Sequence, residues 1–315
     1  MSQTPDISVI ITTYKVPSYI TRAVESALSQ TGVTIEIIIV DDCSPDTTWQ
    51  VIQTLADPRI TAIRMEINGG PSAARNRAIA AASGRWLAVL DGDDVLLEGR
   101  LARMVQLGEA KQADIVVDNV MVQREVDGAQ FSMFAPARLE ALPMMQVEAF
   151  IAGNNQPGDG GHGFGYMKPL IRREFLRAQG LSYRESIRIG EDYVLMLEML
   201  ASGATCVVDA HSGYGYTVRA GSISHRLTCA DVAQMQAEDA RFLARYTLSV
   251  GALKQQAIRT KNLVEAHAYN QMVGAIKKKN IGAFFQHAKE NPRAMRHLWL
   301  PVNVRIERLK KRLGL

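Results

Sequence analysis

Short β-branched runs alternating with helical segments predict an α/β fold: a mostly parallel sheet flanked by helices, followed by a helical C-terminal region. Three features of the 315-residue chain carry this reading. Apolar runs recur at βαβ spacing through the first ninety residues, which implies right-handed crossovers and parallel neighbours. The runs are almost continuously apolar, as strands covered on both faces are. From about Cys229 onward the pattern changes to long helical segments. With 47% hydrophobic and 22% charged residues, the composition is that of a globular protein and excludes a disordered or collagen-like chain.

Taken in order, Ile7–Ile11, Ile35–Val40, Ile60–Met65 and Trp86–Leu90 are the first four expected strands. Ser18–Gln30, Asp46–Ala56 and the alanine-rich Ser72–Ala82 are the helices between them. A helix over Glu98–Lys111, a strand over Ile115–Asn119 and a hairpin through Asp127-Gly128 follow. Gly153–Gly165 reads as a glycine-rich loop and Tyr166–Ile171 as a strand leading into a short helix. Asp192–Ala201 is helical, and Thr205–Val208 and Tyr214–Val218 are late strands. Ala230–Tyr246, Gly251–Met272, Ile281–Lys289 and Val302–Leu313 are helical. The expected division is an α/β domain over 1–225 and a basic helical region over 226–315.

Three scattered cysteines, Cys43, Cys206 and Cys229, fit reduced buried thiols rather than a disulfide framework or a zinc pair. Met1-Ser2-Gln3-Thr4-Pro5-Asp6 lacks the charged and apolar stretches of a signal peptide. No apolar run approaches the roughly 20 residues that span a bilayer. Residues 275–315 carry eleven Lys and Arg against two acids, a net of +9, which leaves −5 for residues 1–274 of a chain totalling +4. A basic tail on an acidic body points to an anionic partner.

Ligands of a parallel sheet bind beyond the carboxyl ends of its strands. Those ends carry Thr12-Thr13-Tyr14, Asp41-Asp42-Cys43-Ser44, Asn68-Gly69-Gly70-Pro71 and Asp91-Gly92-Asp93-Asp94. Carboxylates two apart around a glycine can aim at one point, and their hard oxygens suit Mg²⁺ or Mn²⁺, which would neutralise a departing diphosphate. An acidic turn capping the next helix is the alternative. Asp42 is the acid expected to be free for a pyrimidine N–H or a ribose hydroxyl, with Ser44 or Asp46 capping the helix that follows. Arg75, one turn into a helix after a glycine bend, pairs with a nucleotide phosphate or is simply a solvated arginine. Gly158-Asp159-Gly160-Gly161-His162-Gly163 satisfies a dinucleotide fingerprint, but it follows no strand and opens no helix, so that reading is rejected.

Ser8–Tyr14, Ile39–Ser44, Asn68-Gly69-Gly70 with Ala74-Arg75-Asn76, and Leu90–Asp94 together resemble the nucleotide-binding half of family 2 glycosyltransferases. The resemblance spans roughly residues 6–225, and its four motifs stand in the family's order. Cys43 replaces the more usual glycine. The resemblance implies a GT-A fold, a nucleotide-diphosphate sugar donor with UDP expected, and inversion at the anomeric carbon. It implies that Thr12 and Asp42 hold the base, with Tyr14 stacking nearby and Arg75 near the base or phosphates. It implies that Asp91 contacts the ribose or a metal and that Asp93 ligates the metal.

Glu191-Asp192 looks like the family's ED motif, and inversion needs a general base on the acceptor side, a role assigned to Asp192. Gly163–Pro169 would line the acceptor cleft. Arg219, in Tyr216–Ser224, is a candidate for the donor phosphates. Many relatives carry a histidine where this chain has Ala220, so no metal-binding histidine is expected, and His162, His211 and His225 read as loop or surface residues.

Basic residues from Lys277 to Arg312, interleaved with Phe284, Phe285, Trp299 and Leu300, suit an anionic lipid surface. The implied acceptor is a lipid-linked saccharide of surface polysaccharide synthesis, met at the cytoplasmic face of the cell membrane. A solvated helix face is the alternative for these basic residues, and nucleic acid is not expected as a partner. Two other functions compete: a sugar nucleotidyltransferase, whose glycine-rich triphosphate signature is missing from residues 7–20, and a non-catalytic binding protein, which has no use for metal, base-binding and general-base positions together.

Overall fold

The computed structural model describes residues 4–155, 162–219 and 227–298. Three βα units open the chain: β1 (Ile7–Thr13), α1 (Ile20–Leu28), β2 (Ile35–Asp41), α2 (Thr48–Gln53), β3 (Ile60–Arg64) and α3 (Gly70–Ala81). Next come β4 (Trp86–Asp91), the two-residue β5 (Val95–Leu96), α4 (Arg100–Ala110), β6 (Ile115–Arg124) and β7 (Gln130–Ser132). Helices α5 (Pro136–Glu140) and α6 (Val147–Asn155) lead to β8 (Leu170–Arg172) and α7 (Arg173–Ala178). α8 (Glu191–Ala201), β9 (Cys206–Val218), α9 (Cys229–Arg245), α10 (Val250–Lys277) and α11 (Ile281–Glu290) complete the set.

The strands form one sheet in the order β3-β2-β1-β4-β8-β6-β9-β5, with β7 added to β6. β3, β2, β1 and β4 run parallel, and β8 is antiparallel to both β4 and β6. Ile7, Val9 and Ile11 of β1 are as buried as Ile10 on its opposite face, the two-sided cover that its unbroken apolar run requires. Edge strand β3 is half exposed and accordingly mixes Thr61 and Arg64 with its isoleucines.

Three expectations change. Gly153–Asn155, expected as the start of a loop, close helix α6. Thr205–Val208 and Tyr214–Val218 are one strand, β9, because Asp209–Gly213 is absorbed as a register shift opposite Asp118 and Asn119 rather than as a turn. Tyr166–Ile171 is strand only from Leu170; a short 3-10 turn occupies Phe164–Tyr166, and Lys168-Pro169 breaks the run. The hairpin at Asp127-Gly128 forms as expected between β6 and β7, with Gly128 at φ +69°.

The expected boundary at 225/226 lies outside the described residues, as do Ala220, His225 and the helix expected over Val302–Leu313. Beyond it, Val232, Met235, Phe242 and Leu263 join the core of the sheet domain. Arg259 of α10 sits 3.7 Å from the centre of the Tyr193 ring, and its Nε donates to Asp239 of α9 at 2.9 Å. The C-terminal helices therefore brace the first turn of α8. Ala268, Met272, Ala288 and Ala294 form a separate small core under the end of α10 and α11.

Candidate active site

The parallel half of the sheet brings Thr12, Asp41, Asp42 and Asp91 to the ends of three adjacent strands, because β1 pairs with both β2 and β4. Asp42 is not free as expected. Its carboxylate accepts from Gly69 N–H at 2.7 Å and Gly70 N–H at 2.9 Å, so it lies at the start of α3 where unpaired amides seek an anion. Burial pushes its carboxyl upward, and the two amides pull the other way. Neither capping candidate is the N-cap of α2, which is Thr47: Asp46, one residue earlier, accepts from Thr48 N–H and Oγ1, and Ser44 Oγ accepts from Lys15 N–H. Lys15 and Cys43 both take left-handed backbone, at φ +56° and +55°, at the turns leaving β1 and β2. Position 43 thus requires the conformation that glycine adopts most easily. Thr12 and Tyr14 lie half-buried along this edge, with the Lys15 ammonium 5.1 Å from the Tyr14 ring centre.

The Asp91-Gly92-Asp93-Asp94 turn separates its three carboxylates. Asp94 is buried and accepts from Tyr214 Oη and Thr217 N–H, both at 2.8 Å, while burial and its acidic neighbours push its carboxyl well up. Asp93 is partly exposed and accepts from Arg219 Nε at 2.7 Å; burial and Asp91 raise its carboxyl, with Arg219 opposing. Asp91 turns toward two cations, Arg75 Nη2 at 2.8 Å and Lys168 Nζ at 2.8 Å. Burial works against its ionisation, but Lys168 and Arg75 outweigh it and hold the carboxyl well below the usual range.

These same cations reach the N-terminus of α8. Gly190, left-handed at φ +92°, turns the chain so that Glu191 and Asp192 open the helix. A Cβ there would come within 3.1 Å of Met235. Arg75 Nη1 donates to Glu191 at 2.6 Å and lies 3.2 Å from Asp192 Oδ1, and Lys168 Nζ donates to Asp192 Oδ2 at 2.6 Å. Arg75 is therefore not a solvated arginine: it is only 3% exposed, and its guanidinium also lies over the Tyr183 ring. Burial and Asp192 push the Glu191 carboxyl up against the pull of Arg75 and Lys168. Burial lowers the proton affinity of Lys168, but Asp192 and Asp91 more than reverse this.

Of the residues expected to act, Asp91, Arg75, Glu191 and Asp192 converge in one network, Asp93 and Arg219 pair beside it, and Thr12, Tyr14 and Asp42 line the neighbouring strand ends. Lys168 was expected only as a lining residue. The signal that marks it is a lysine inside the apolar run Tyr166–Ile171, since a buried lysine needs an anionic partner.

Asp93 fits a divalent cation better than Asp91 does. It offers hard, partly exposed oxygens with one exchangeable partner, while each oxygen of Asp91 already has a buried cation. No group of three or more acidic, histidine or cysteine side chains placed to hold a metal ion occurs among the described residues.

The family profile described as Glycosyl transferase family 2 matches residues 8–175. The succinoglycan biosynthesis protein ExoO of Rhizobium meliloti is 41% identical over 99% of this chain and 89% of its own. The chain belongs to glycosyl transferase family 2. Another relative in sequence is the Escherichia coli UDP-Glc:α-D-GlcNAc-diphosphoundecaprenol β-1,3-glucosyltransferase WfaP, 37% identical over 69% of this chain and 79% of its own. In structure the chain is similar to the mannosyltransferase PcManGT of Pyrobaculum calidifontis, solved with GDP-Man and Mn²⁺. That likeness has a TM-score of 0.60 and 15% identity, covering 96% of this chain and 83% of the other. The fold is the expected GT-A arrangement and the chain is a glycosyltransferase. No helix among the described residues is long and apolar enough to cross a membrane.

Proposed function

We propose that this glycosyltransferase moves a sugar, with inversion, from a UDP-sugar to a hydroxyl of a lipid-linked saccharide in exopolysaccharide synthesis. The observation that carries the reading is the Arg75–Lys168 bridge, which joins the strand-end acid Asp91 to the Glu191-Asp192 pair. The succinoglycan role of ExoO and the UDP-Glc and diphosphoundecaprenol in the name of WfaP support the donor and acceptor classes.

Asp192 acts as general base. Its Oδ1 accepts no hydrogen bond among the described residues and has a 3.2 Å ion pair with Arg75 Nη1, which makes it the oxygen to take the proton of an acceptor hydroxyl. As that proton transfers, the acceptor oxygen bonds to the anomeric carbon, and the bond from that carbon to the diphosphate breaks on the opposite face. Glu191 holds Arg75 in line, while Thr12, Tyr14 and Asp42 form the edge that receives the base, and Asp91 faces the ribose. Mg²⁺ or Mn²⁺ held by Asp93 would neutralise charge on the departing diphosphate. Arg219, now on Asp93, is the cation nearest to replace or assist it.

The same reading seats the chain peripherally on the cytoplasmic face of the membrane. Ile276, Ile281 and Phe285 are 55%, 71% and 65% exposed around a turn that also bears Lys277, Lys278 and Lys279. Apolar side chains among lysines suit an anionic bilayer surface. Trp299, Leu300 and the basic residues from Arg305 to Arg312 lie outside the described residues.

The test is Asp192→Asn. It should bind UDP with Mn²⁺ as wild type does yet lose about 10²–10⁴-fold in turnover; wild-type turnover ends the assignment. Asp93→Ala should abolish the metal dependence of UDP binding. Cosedimentation with phosphatidylglycerol vesicles but not phosphatidylcholine vesicles tests the membrane reading.

A further inference from the structure

We propose that Lys168 is the positioning residue of the transfer step, clamping Oδ2 of Asp192 and tying that carboxylate to Asp91 as one rigid unit. The inference rests on Asp192 being the base. Lys168 is 7% exposed, and its ammonium bridges two carboxylates that lie far apart in sequence, at 2.6 and 2.8 Å. Its main chain is equally constrained. The Lys168 carbonyl accepts from Arg100 Nη2 at 2.6 Å, and Arg100 is itself fixed by two 2.8 Å bonds to fully buried Asp118. Pro169 follows, removing one backbone freedom. The ammonium is thus presented from an anchor deep in the sheet.

Charge neutralisation alone does not explain this arrangement. Arg75 already reaches Asp91, Glu191 and Asp192, and two cations still face three carboxylates. What Lys168 adds is a choice between the two oxygens of Asp192. Oδ2 takes the 2.6 Å hydrogen bond from Lys168, while Oδ1 has the looser 3.2 Å ion pair with Arg75 Nη1. A carboxylate held by one oxygen cannot rotate to present either at random, and orientation of this kind governs proton transfer.

The experiment compares wild type, Lys168→Met, Lys168→Arg and Asp192→Asn. UDP release is followed with whichever of UDP-glucose, UDP-galactose or UDP-GlcNAc turns over fastest, with water as acceptor. UDP binding with Mn²⁺ and thermal melts are measured alongside. Lys168→Met should lower kcat at least about tenfold. The donor KM should change less than kcat. Lys168→Arg keeps the charge and should restore part of kcat.

Wild-type kcat in Lys168→Met, with Asp192→Asn inactive, overturns the role of Lys168. If Lys168→Met melts below the assay temperature, Lys168→Arg decides: a donor KM raised as much as kcat is lowered overturns the proposal. Wild-type turnover in Asp192→Asn instead overturns the base assignment, and UDP release from none of the three sugars overturns the UDP donor.

Discussion

Two buried charge clusters meet at Lys168, and they are built to different rules. On one side Arg100 and Asp118 form a fully buried pair joined by two bonds of 2.8 Å, with Arg103 a second cation 3.8 Å from the same carboxylate and Arg100 Nη1 unbonded. On the other side Arg75 and Lys168 serve Asp91, Glu191 and Asp192, leaving an excess negative charge, an unbonded Asp192 Oδ1 and an unbonded Arg75 Nε. A carboxylate held by two short bonds, with a second cation beside it, fixes a fold. A cluster short of one cation leaves Asp192 Oδ1 with a looser 3.2 Å ion pair to Arg75, and such local cost is what a reaction centre carries.

The largest expected effect breaks the Arg100–Asp118 cluster. Arg100→Leu leaves Asp118 buried with only Arg103, 3.8 Å away, and should destabilise the chain by about 3–5 kcal/mol. Urea unfolding measures this loss. A loss below about 1 kcal/mol would show that the pair is as dispensable as a surface one.

The opposite outcome is expected for the acid-rich cluster. Glu191→Gln leaves two acids for two cations, so it should raise Tm by about 2 °C while lowering turnover about tenfold through loosened Arg75. Its pH dependence follows from the raised carboxyl of Glu191. A carboxyl raised in the folded state binds its proton more readily there than in the unfolded chain. Its stabilising contribution is full below the unfolded value and is lost as pH rises through the folded one. The advantage of Glu191→Gln over wild type should therefore be greatest near pH 8 and shrink as pH falls toward 5, by thermal melts at each pH. A constant difference would mean that Glu191 is not raised.

The contrast also explains what could be read in advance. β1, β2 and β4 are legible because burial on both faces writes an unbroken apolar run, and α8 because an acidic pair opens a long apolar stretch. Asp91, Arg75, Glu191 and Asp192 were visible as types of residue at strand and helix ends. Their partners were not. Nothing in Asp91-Gly92-Asp93-Asp94 tells which acid turns to Arg219, which to Lys168 and which to Tyr214, since each partner arrives from a distant strand or loop. Asp42 illustrates the same limit: its two amides come from Gly69 and Gly70, across a whole βα unit. Local pattern likewise hides the bulge in β9, because Asp209–Gly213 has the composition of a turn and becomes part of a strand only against Asp118 and Asn119.

The smallest expected effect asks whether the donor edge also carries cost in its backbone. Cys43 sits at φ +55°, where a side chain raises the energy by roughly 1–2 kcal/mol. Its Sγ donates to the Glu66 carbonyl at 3.4 Å, and a thiol is too weak a donor to offset much. Cys43→Gly relieves the strain but frees the unfolded chain, which takes back roughly 0.4–1 kcal/mol. The net gain should be about 0.5 kcal/mol, with UDP binding unchanged because the turn keeps its path. Cys43→Val, branched at Cβ, should instead lose roughly 1 kcal/mol or more and weaken UDP binding as the turn shifts beneath Asp42. Equal stability of the two variants would mean that the left-handed turn relaxes at no cost, and the donor edge would then resemble the Arg100–Asp118 cluster rather than the strained one.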